Sequence, residues 1–283
     1  MSEMMHAARV GIRRGWTEFK HTLTNWQDLF GYFFPAVILL VVMFFMRNAT
    51  VPGTSFSLGA RTLPSALGMG IAFGGFATLA QQLTVEREDG TLLRAKATPN
   101  GMFGYLVGKI TLIATVMVIS IAIQLIPGLF VLDGLNITSG YAWLTLAWVL
   151  VIGLVATLPL GAIIGSIFDD PRNLGLVMLP MMGLIAISGI FYPISTFPGW
   201  LQIVAQVFPI YWLGLGMRSA LLPSELATVE IGQSWRHLET LGVLGAWAVA
   251  GLIIAPIVLR RMARRESGAT VAERRQKAMQ RVP

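Results

Sequence analysis

The sequence predicts an all-α integral membrane protein with six transmembrane helices, and three observations carry that prediction. Of 283 residues, 55% are hydrophobic and 12% are charged, about half the roughly 25% charge of ordinary soluble domains. Mean hydropathy is +0.69, so the chain has too few polar groups to cover itself in water. Six stretches approach or exceed the ~20 apolar residues that cross a bilayer: 30–46, 63–85, 110–132, 141–168, 174–192 and 241–259. With six spans, Lys and Arg divide 17 to 4 between the two faces, as expected when loop Lys and Arg stay cytoplasmic.

The elements follow in chain order. Residues 5–29 read as an in-plane amphipathic helix, because Ile12, Trp16, Phe19, Leu23, Trp26 and Phe30 recur every three or four residues. Arg9, Arg13, Arg14 and Lys20 form its polar surface, and a basic helix with Trp on the apolar side lies at a membrane surface. Packing on its own protein as a juxtamembrane helix is compatible with that reading. The basic residues are not followed by a short apolar core and a small-residue cleavage site, so the first span, reaching back toward Trp26, is expected to be retained. Pro127 and Pro159 interrupt spans three and four late and free a carbonyl in each.

Residues 199–222 are apolar enough to pass as a seventh span, but charge argues against it. A seventh span would put the eight basic residues of the tail, 260–283, outside. Pro209 sits mid-segment, with Gly214 and Gly216 after it, so a re-entrant pair of short helices is expected within an external segment, 193–237. Broken backbone at membrane depth is tolerated where protein covers it. In the tail, Arg260, Arg261, Arg264 and Arg265 abut the last span, where anionic lipid heads would meet them. No separate folded domain accompanies them, so membrane lipid and not nucleic acid is the expected partner.

Composition also excludes function classes. There is no cysteine, hence no disulfide, thiolate metal site or Cys nucleophile. Three histidines (His6, His21, His237) argue against a His-based metal or acid–base centre. The six stretches as drawn contain no Asp, Glu, Lys, Arg or His, which speaks against an ion-coupled carrier or an intramembrane protease. Their polar groups are neutral: Gln81, Gln82, Thr111, Thr115, Ser120, Gln124, Thr145 and Ser188. Most suit helix–helix hydrogen bonds; Gln81, Gln82, Thr115, Gln124 and Ser188 are the candidates for a substrate path. Gly104 to Lys109 superficially resembles a phosphate loop, but the glycine spacing is one short and Ile110 stands where Ser or Thr is needed. The chain is therefore expected to bind no cofactor or metal and to draw any energy from another chain.

The loop 86–105 carries a mixed-charge cluster of Glu86, Arg87, Glu88 and Arg94 below span two. Gly90 and Thr91 can end one helix and start the next, and Pro99-Asn100-Gly101 is a turn. A short helix across the inner face, with exposed charge of both signs, suits docking to a cytosolic partner; a solvated loop whose charges only fix topology is the plainer alternative. At this point the residues carry a resemblance. The run Glu86-Arg87-Glu88-Asp89-Gly90-Thr91-Leu92, then Pro99 and Tyr105-Leu106-Val107-Gly108-Lys109, resembles the loop after span two of ABC-2-type permeases, the membrane subunits of bacterial ABC exporters. Ser188-Gly189-Ile190-Phe191-Tyr192-Pro193-Ile194, with Phe197-Pro198-Gly199-Trp200-Leu201, Pro209 and Gly216-Met217-Arg218, is similar to their external segment between spans five and six.

That resemblance covers nearly the whole chain and looks most like the daunorubicin- and drug-resistance type. It implies the ABC-2 exporter fold in a bacterial cytoplasmic membrane, both termini cytoplasmic. It implies a coupling role for Glu86, Arg87, Glu88, Gly90, Thr91, Leu92, Arg94 and Pro99, and an external gate containing Phe191, Pro193, Trp200, Pro209 and Arg218. Asp89 stands at a variable position and carries no weight. The implied partners are two ABC ATP-binding subunits, which hold ATP and Mg²⁺, and a second permease chain, identical or paralogous. The expected activity is export of a hydrophobic or amphiphilic drug, antibiotic or lipid. Two rivals from other classes are an integral-membrane enzyme acting on lipid through Glu86, Glu88, Asp89, Asp169 and Asp170, and a non-transporting scaffold.

Overall fold

A computed structural model describes residues 2–50, 56–168, 171–265 and 276. Asp169, Asp170 and nearly all of the tail beyond Arg265 lie outside the described residues, as does the side chain of Glu88. Among the described residues the elements are helical: α1 (Ser2–Thr24), α2 (Trp26–Phe45), α3 (Leu58–Phe73), a π-helical turn (Gly74–Thr78), α4 (Leu79–Glu88), α5 (Thr91–Lys96), α6 (Gly101–Val131), α7 (Gly140–Ile167), α8 (Gly175–Ile187), α9 (Gly199–Val207), α10 (Pro209–Leu221) and α11 (His237–Arg265). Five are long and apolar enough to cross a bilayer: α2, the continuous α3–α4, α6, α7 and α11. The pair α9 and α10, bent by 87° at Phe208–Pro209, makes a sixth only if counted as one broken span.

Local signals set the helix ends. Asn25 is extended and its side chain accepts from Gln27 N at 3.0 Å, so α1 stops and α2 starts there. Trp26 and Phe30 consequently lie on α2, not on the α1 stripe that periodicity assigns them to. Ser57 caps α3, accepting from Ala60 N, so the second long helix begins at Leu58 instead of 63. Gly90 (φ 80°) ends α4, and Asn100 (φ 52°) precedes α6. The third long helix therefore starts nine residues before the expected 110. These shifts correct the expectation of charge-free spans: Arg61 and Lys109 fall within helices and are buried.

The largest departure is α8. The apolar stretch 174–192 holds only 13 α-helical residues, about 20 Å at 1.5 Å per residue, and reaches most of the ~30 Å hydrocarbon layer only with the 3-10 turn Pro171–Leu174 that leads into it. Gly189 (φ 75°) turns the chain away immediately after it.

Every residue of α10 is buried, the mark of a helix surrounded on all sides. It packs on α3, α7 and α11. Gly68 of α3 lies against the Gly214 backbone, and Gly153 of α7 receives Leu213. Small residues at such contacts let helix backbones approach where lipid offers no hydrophobic drive between helices. A second apolar cluster joins Phe19, Phe33, Leu83, Leu92, Tyr105, Ile113 and Leu259 at the α4–α5 end. Outward faces of α2 and α11 expose Val37, Ile38, Val41, Phe45, Leu252, Ile253 and Ile257, a surface suited to lipid.

Helix α1 lies along α6, and its stripe divides between the protein and the outside. Ile12, Trp16 and Leu23 are about half exposed, while Gly11, Gly15, Phe19 and Thr22 are buried. A Cβ on Gly11 would strike the Gly104 carbonyl, and one on Gly15 the Gly108 carbonyl. Two small-residue pairs spaced four apart thus face each other across the seam.

Candidate functional site

A cleft of about 1000 Å³ opens between α2 and the α3–α4 helix, with α6 behind it and α8 at one end. Its apolar wall includes Leu39, Leu67, Phe73, Met117, Ile121, Ile185 and Phe191. The π-helical turn lines it through Gly74 and Thr78; such insertions widen a helix locally and recur at functional sites. Lys109 and Gln124, fifteen residues apart on α6, both line the cleft, which therefore runs about 22 Å along that helix.

One end of the cleft is polar. Glu18, Asp28, Gln82, Glu86 and Lys109 all line it. Lys109 donates to Glu18 Oε2 at 2.6 Å and also pairs with Glu86, while Arg14 Nε holds Glu18 Oε1 at 2.7 Å. Burial alone would raise the Glu18 carboxyl, but hydrogen bonds and charge from Lys109 and Arg14 outweigh it and hold its pKa below the usual carboxylate value. Gln82 donates its amide nitrogen to the Tyr32 hydroxyl, tying α4 to α2.

The expected path residues divide. Gln81, Gln82 and Gln124 line the cleft. Thr115 does not; its hydroxyl donates to the Thr111 carbonyl at 2.7 Å, and the buried Ser188 hydroxyl donates to Ile185 O at 2.6 Å. Both satisfy their own helix.

The residues of the coupling motif also divide. Arg87 is buried, and its Nη1 donates to the carbonyls of Gly165, Ser166 and Phe168 at 3.4, 3.1 and 3.0 Å, closing the last turn of α7. Glu86 turns inward to Lys109. Gly90 and Leu92 are buried, and Thr91 N donates to Asp89 Oδ1 at 2.8 Å. Arg94 and Pro99 are exposed, together with Asp89, Lys96 and residues 97–100. The face available to a partner is therefore the far side of α5 and the following turn.

Among the gate residues, Phe191 reaches the cleft. Pro209 opens α10, and Trp200 stands 67% exposed on α9. Arg218 is buried and binds Glu230, Ser65 and Gly189. Glu18, Lys109 and Glu230 escape sequence reasoning because each reads as a loop or surface group in isolation, and Tyr32 because it reads as one more residue of the first apolar span. The available signal for the first and third is the matched spacing of Gly11–Gly15 and Gly104–Gly108, which seats α1 on α6 and brings Glu18 to Lys109.

No curated protein matches the chain. Residues 48–257, spanning the helices from the start of α3 into the second half of α11, match the family described as ABC-2 family transporter protein. With most of its length inside that match, this multi-pass membrane chain belongs to the ABC-2 transporter family.

Proposed function

We propose that the chain is the permease subunit of an ATP-driven exporter, working in a bacterial cytoplasmic membrane with both termini cytoplasmic. It moves a hydrophobic or amphiphilic substrate, such as a drug, antibiotic or lipid, using ATP and Mg²⁺ held by a separate ATP-binding subunit. The observation that carries this reading is mechanical continuity. The helix that lines the cleft, Leu58–Arg87, runs directly into α5, whose outer face carries Arg94 and Lys96.

On this reading Leu92 and Ala95 seat α5 on its neighbours, and Arg94, Pro99 and the adjoining turn meet the ATPase. Arg87 makes α4 and the end of α7 move as one piece, so a push on α5 reaches both helices. The exposed apolar residues of α8, including Leu176, Leu179 and Met182, would be covered by a second permease chain. Two ATP-binding subunits then serve the pair. The segment from Phe191 to Arg218 closes the opposite end of the path.

The test is purification of the tagged chain in mild detergent from cells expressing its native neighbours. A co-purifying ATPase, lost when Arg94 is changed to Glu although the permease still inserts, is the expected result. A single chain free of ATPase overturns the reading.

A further inference from the structure

The polar end of the cleft is lined by more negative than positive side chains and holds buried oxygen atoms without hydrogen-bond partners. Among the described residues Lys109 is the one Lys or Arg lining it, and Glu18 and Glu86 already engage that ammonium. Glu86 Oε2 and Gln82 Oε1 remain buried with no hydrogen-bond partner. Farther along α6, Gln124 is 3% exposed and its Oε1 is likewise unpartnered. Its orientation is fixed chemically: the amide nitrogen donates to the Ser120 carbonyl at 3.3 Å, and a carbonyl can only accept, so the oxygen is the free end. Asp28 adds a further carboxylate to the same end. With three carboxylates against one ammonium, the lining is net negative. Tyr105 lies outside the cleft lining with its buried hydroxyl directed at Glu86, so what Glu86 lacks on the cleft side is a compensating charge.

Buried acceptors without partners are unfavourable until something donates to them. Water can serve at this polar end until a ligand displaces it, while the apolar walls beyond offer it few partners. We infer that the cleft binds an amphiphile whose head is a cationic hydrogen-bond donor, a primary or secondary ammonium, seated between Glu86 and Gln82. Its apolar body lies along Phe73, Met117 and Ile121, and a second donor on that body reaches Gln124 Oε1. An anionic amphiphile is rejected by the net negative charge, and a neutral hydroxyl head can donate to the Glu86 oxygen but brings no charge to meet it. This inference rests on the reading of the cleft as the substrate path and names the substrate's charge.

The experiment uses the full-length chain in phosphatidylcholine nanodiscs, with empty nanodiscs as the partition control. Three dansyl-labelled probes share one octyl chain and differ only at the head: ammonium, hydroxyl and sulfonate. Saturable binding is read by fluorescence anisotropy. The ammonium probe is expected to bind about tenfold tighter than the alcohol, the ratio that one charge-assisted hydrogen bond supplies, and the sulfonate is expected not to saturate. Glu86→Gln should remove most of that preference, bringing the ammonium probe's affinity down toward the alcohol's. Asp28→Asn and Gln82→Leu, which spare the Lys109 pairs, should each reduce it and keep the test decisive if Glu86→Gln fails to fold. Equal binding of the three heads, or a preference that survives all three variants, overturns the inference. ATPase co-purification is scored on the same preparations. A bound ATPase without head-group preference defeats the cation site alone; head-group preference without an ATPase defeats the exporter reading and leaves the site standing.

Discussion

The Arg218 guanidinium forks onto both carboxylate oxygens of Glu230, at 2.8 and 3.2 Å, with both side chains all but removed from solvent. The same guanidinium donates to Ser65 Oγ at 3.1 Å and Gly189 O at 3.3 Å. One side chain on α10 therefore ties down α3, the turn that ends α8, and the segment leading to α11. Removing one partner of a buried pair strands the other charge, at a cost of about 3–5 kcal/mol, whereas replacing both with apolar groups can be neutral. Arg218→Met is expected to lower the unfolding midpoint steeply, and Arg218→Met with Glu230→Leu to recover most of that loss. Thermal unfolding in detergent decides it; a double variant no better than the single would show that a stranded Glu230 charge is not what destabilises Arg218→Met.

The seam between α1 and α6 makes a geometric prediction. A Cβ on Gly104 would lie 3.9 Å from the Ala7 Cβ, within the 3.5–4.5 Å that a disulfide requires, and 3.0 Å from the Ala7 carbonyl oxygen, so the seam must open by a few tenths of an ångström to admit it. The native chain has no cysteine, so Ala7→Cys with Gly104→Cys is expected to form a single bridge under mild oxidation. Adding Gly15→Leu, whose side chain would collide with the Gly108 carbonyl, should prevent it. Mobility of the fragments on a denaturing gel, after cleavage between the two positions, reads the result.

That seam also shows what the sequence reveals and what it does not. Long apolar runs are self-announcing, so α6, α7 and α11 are legible, as is the break at Pro209. The packing face of α1 is not, because periodicity is read from large apolar residues. In a bilayer those residues face lipid, and the small ones, Gly11 and Gly15, face protein. Helix starts such as Gly101–Lys109 look like loop because Gly101, Gly104, Gly108 and Lys109 interrupt the apolar run. Glu86 and Lys109 are 23 positions apart in the sequence, and nothing local announces that α4 and α6 bring them together. The short α8 is hidden for a related reason: hydropathy does not register the turn at Gly189.

Arg87 sits among the carbonyls of the last turn of α7. Arg87→Ala should leave those buried acceptors poorly satisfied and cost about 1.5–3 kcal/mol, the range for hydrogen bonds to charged groups. Arg87→Lys should recover only part, because an ammonium cannot reproduce a planar fork. Hydrogen exchange is expected to rise in residues 162–168 and not in α10.

Acid should loosen α1. The Glu18 carboxyl is held below its ordinary pKa, so its contribution to stability is fully present above the unfolded value near 4.5. It is lost as pH falls below that value through the lower folded one. Between pH 6 and 3 the thermal unfolding midpoint of the wild-type chain should fall, and Glu18→Gln should lower that midpoint at pH 6 while flattening the dependence. A wild-type profile unchanged down to pH 3 would show that the Lys109 and Arg14 contacts do not hold α1.

The last prediction separates seating from docking on α5, two roles the sequence motif runs together. Leu92 is 1% exposed and belongs to the apolar cluster beneath α5, whereas Arg94, two residues on, is exposed. Leu92→Ala opens a cavity and is expected to cost about 2–5 kcal/mol of stability, lowering the unfolding midpoint of the isolated chain. Arg94→Glu touches no buried contact and should leave that midpoint within the small range usual for surface changes. Reversing an exposed interface charge acts on association instead, so ATPase capture by the Arg94 variant should fall about tenfold and become less sensitive to salt. If both variants changed stability alike and capture not at all, α5 would be an internal strut, and the partner would have to meet the chain elsewhere.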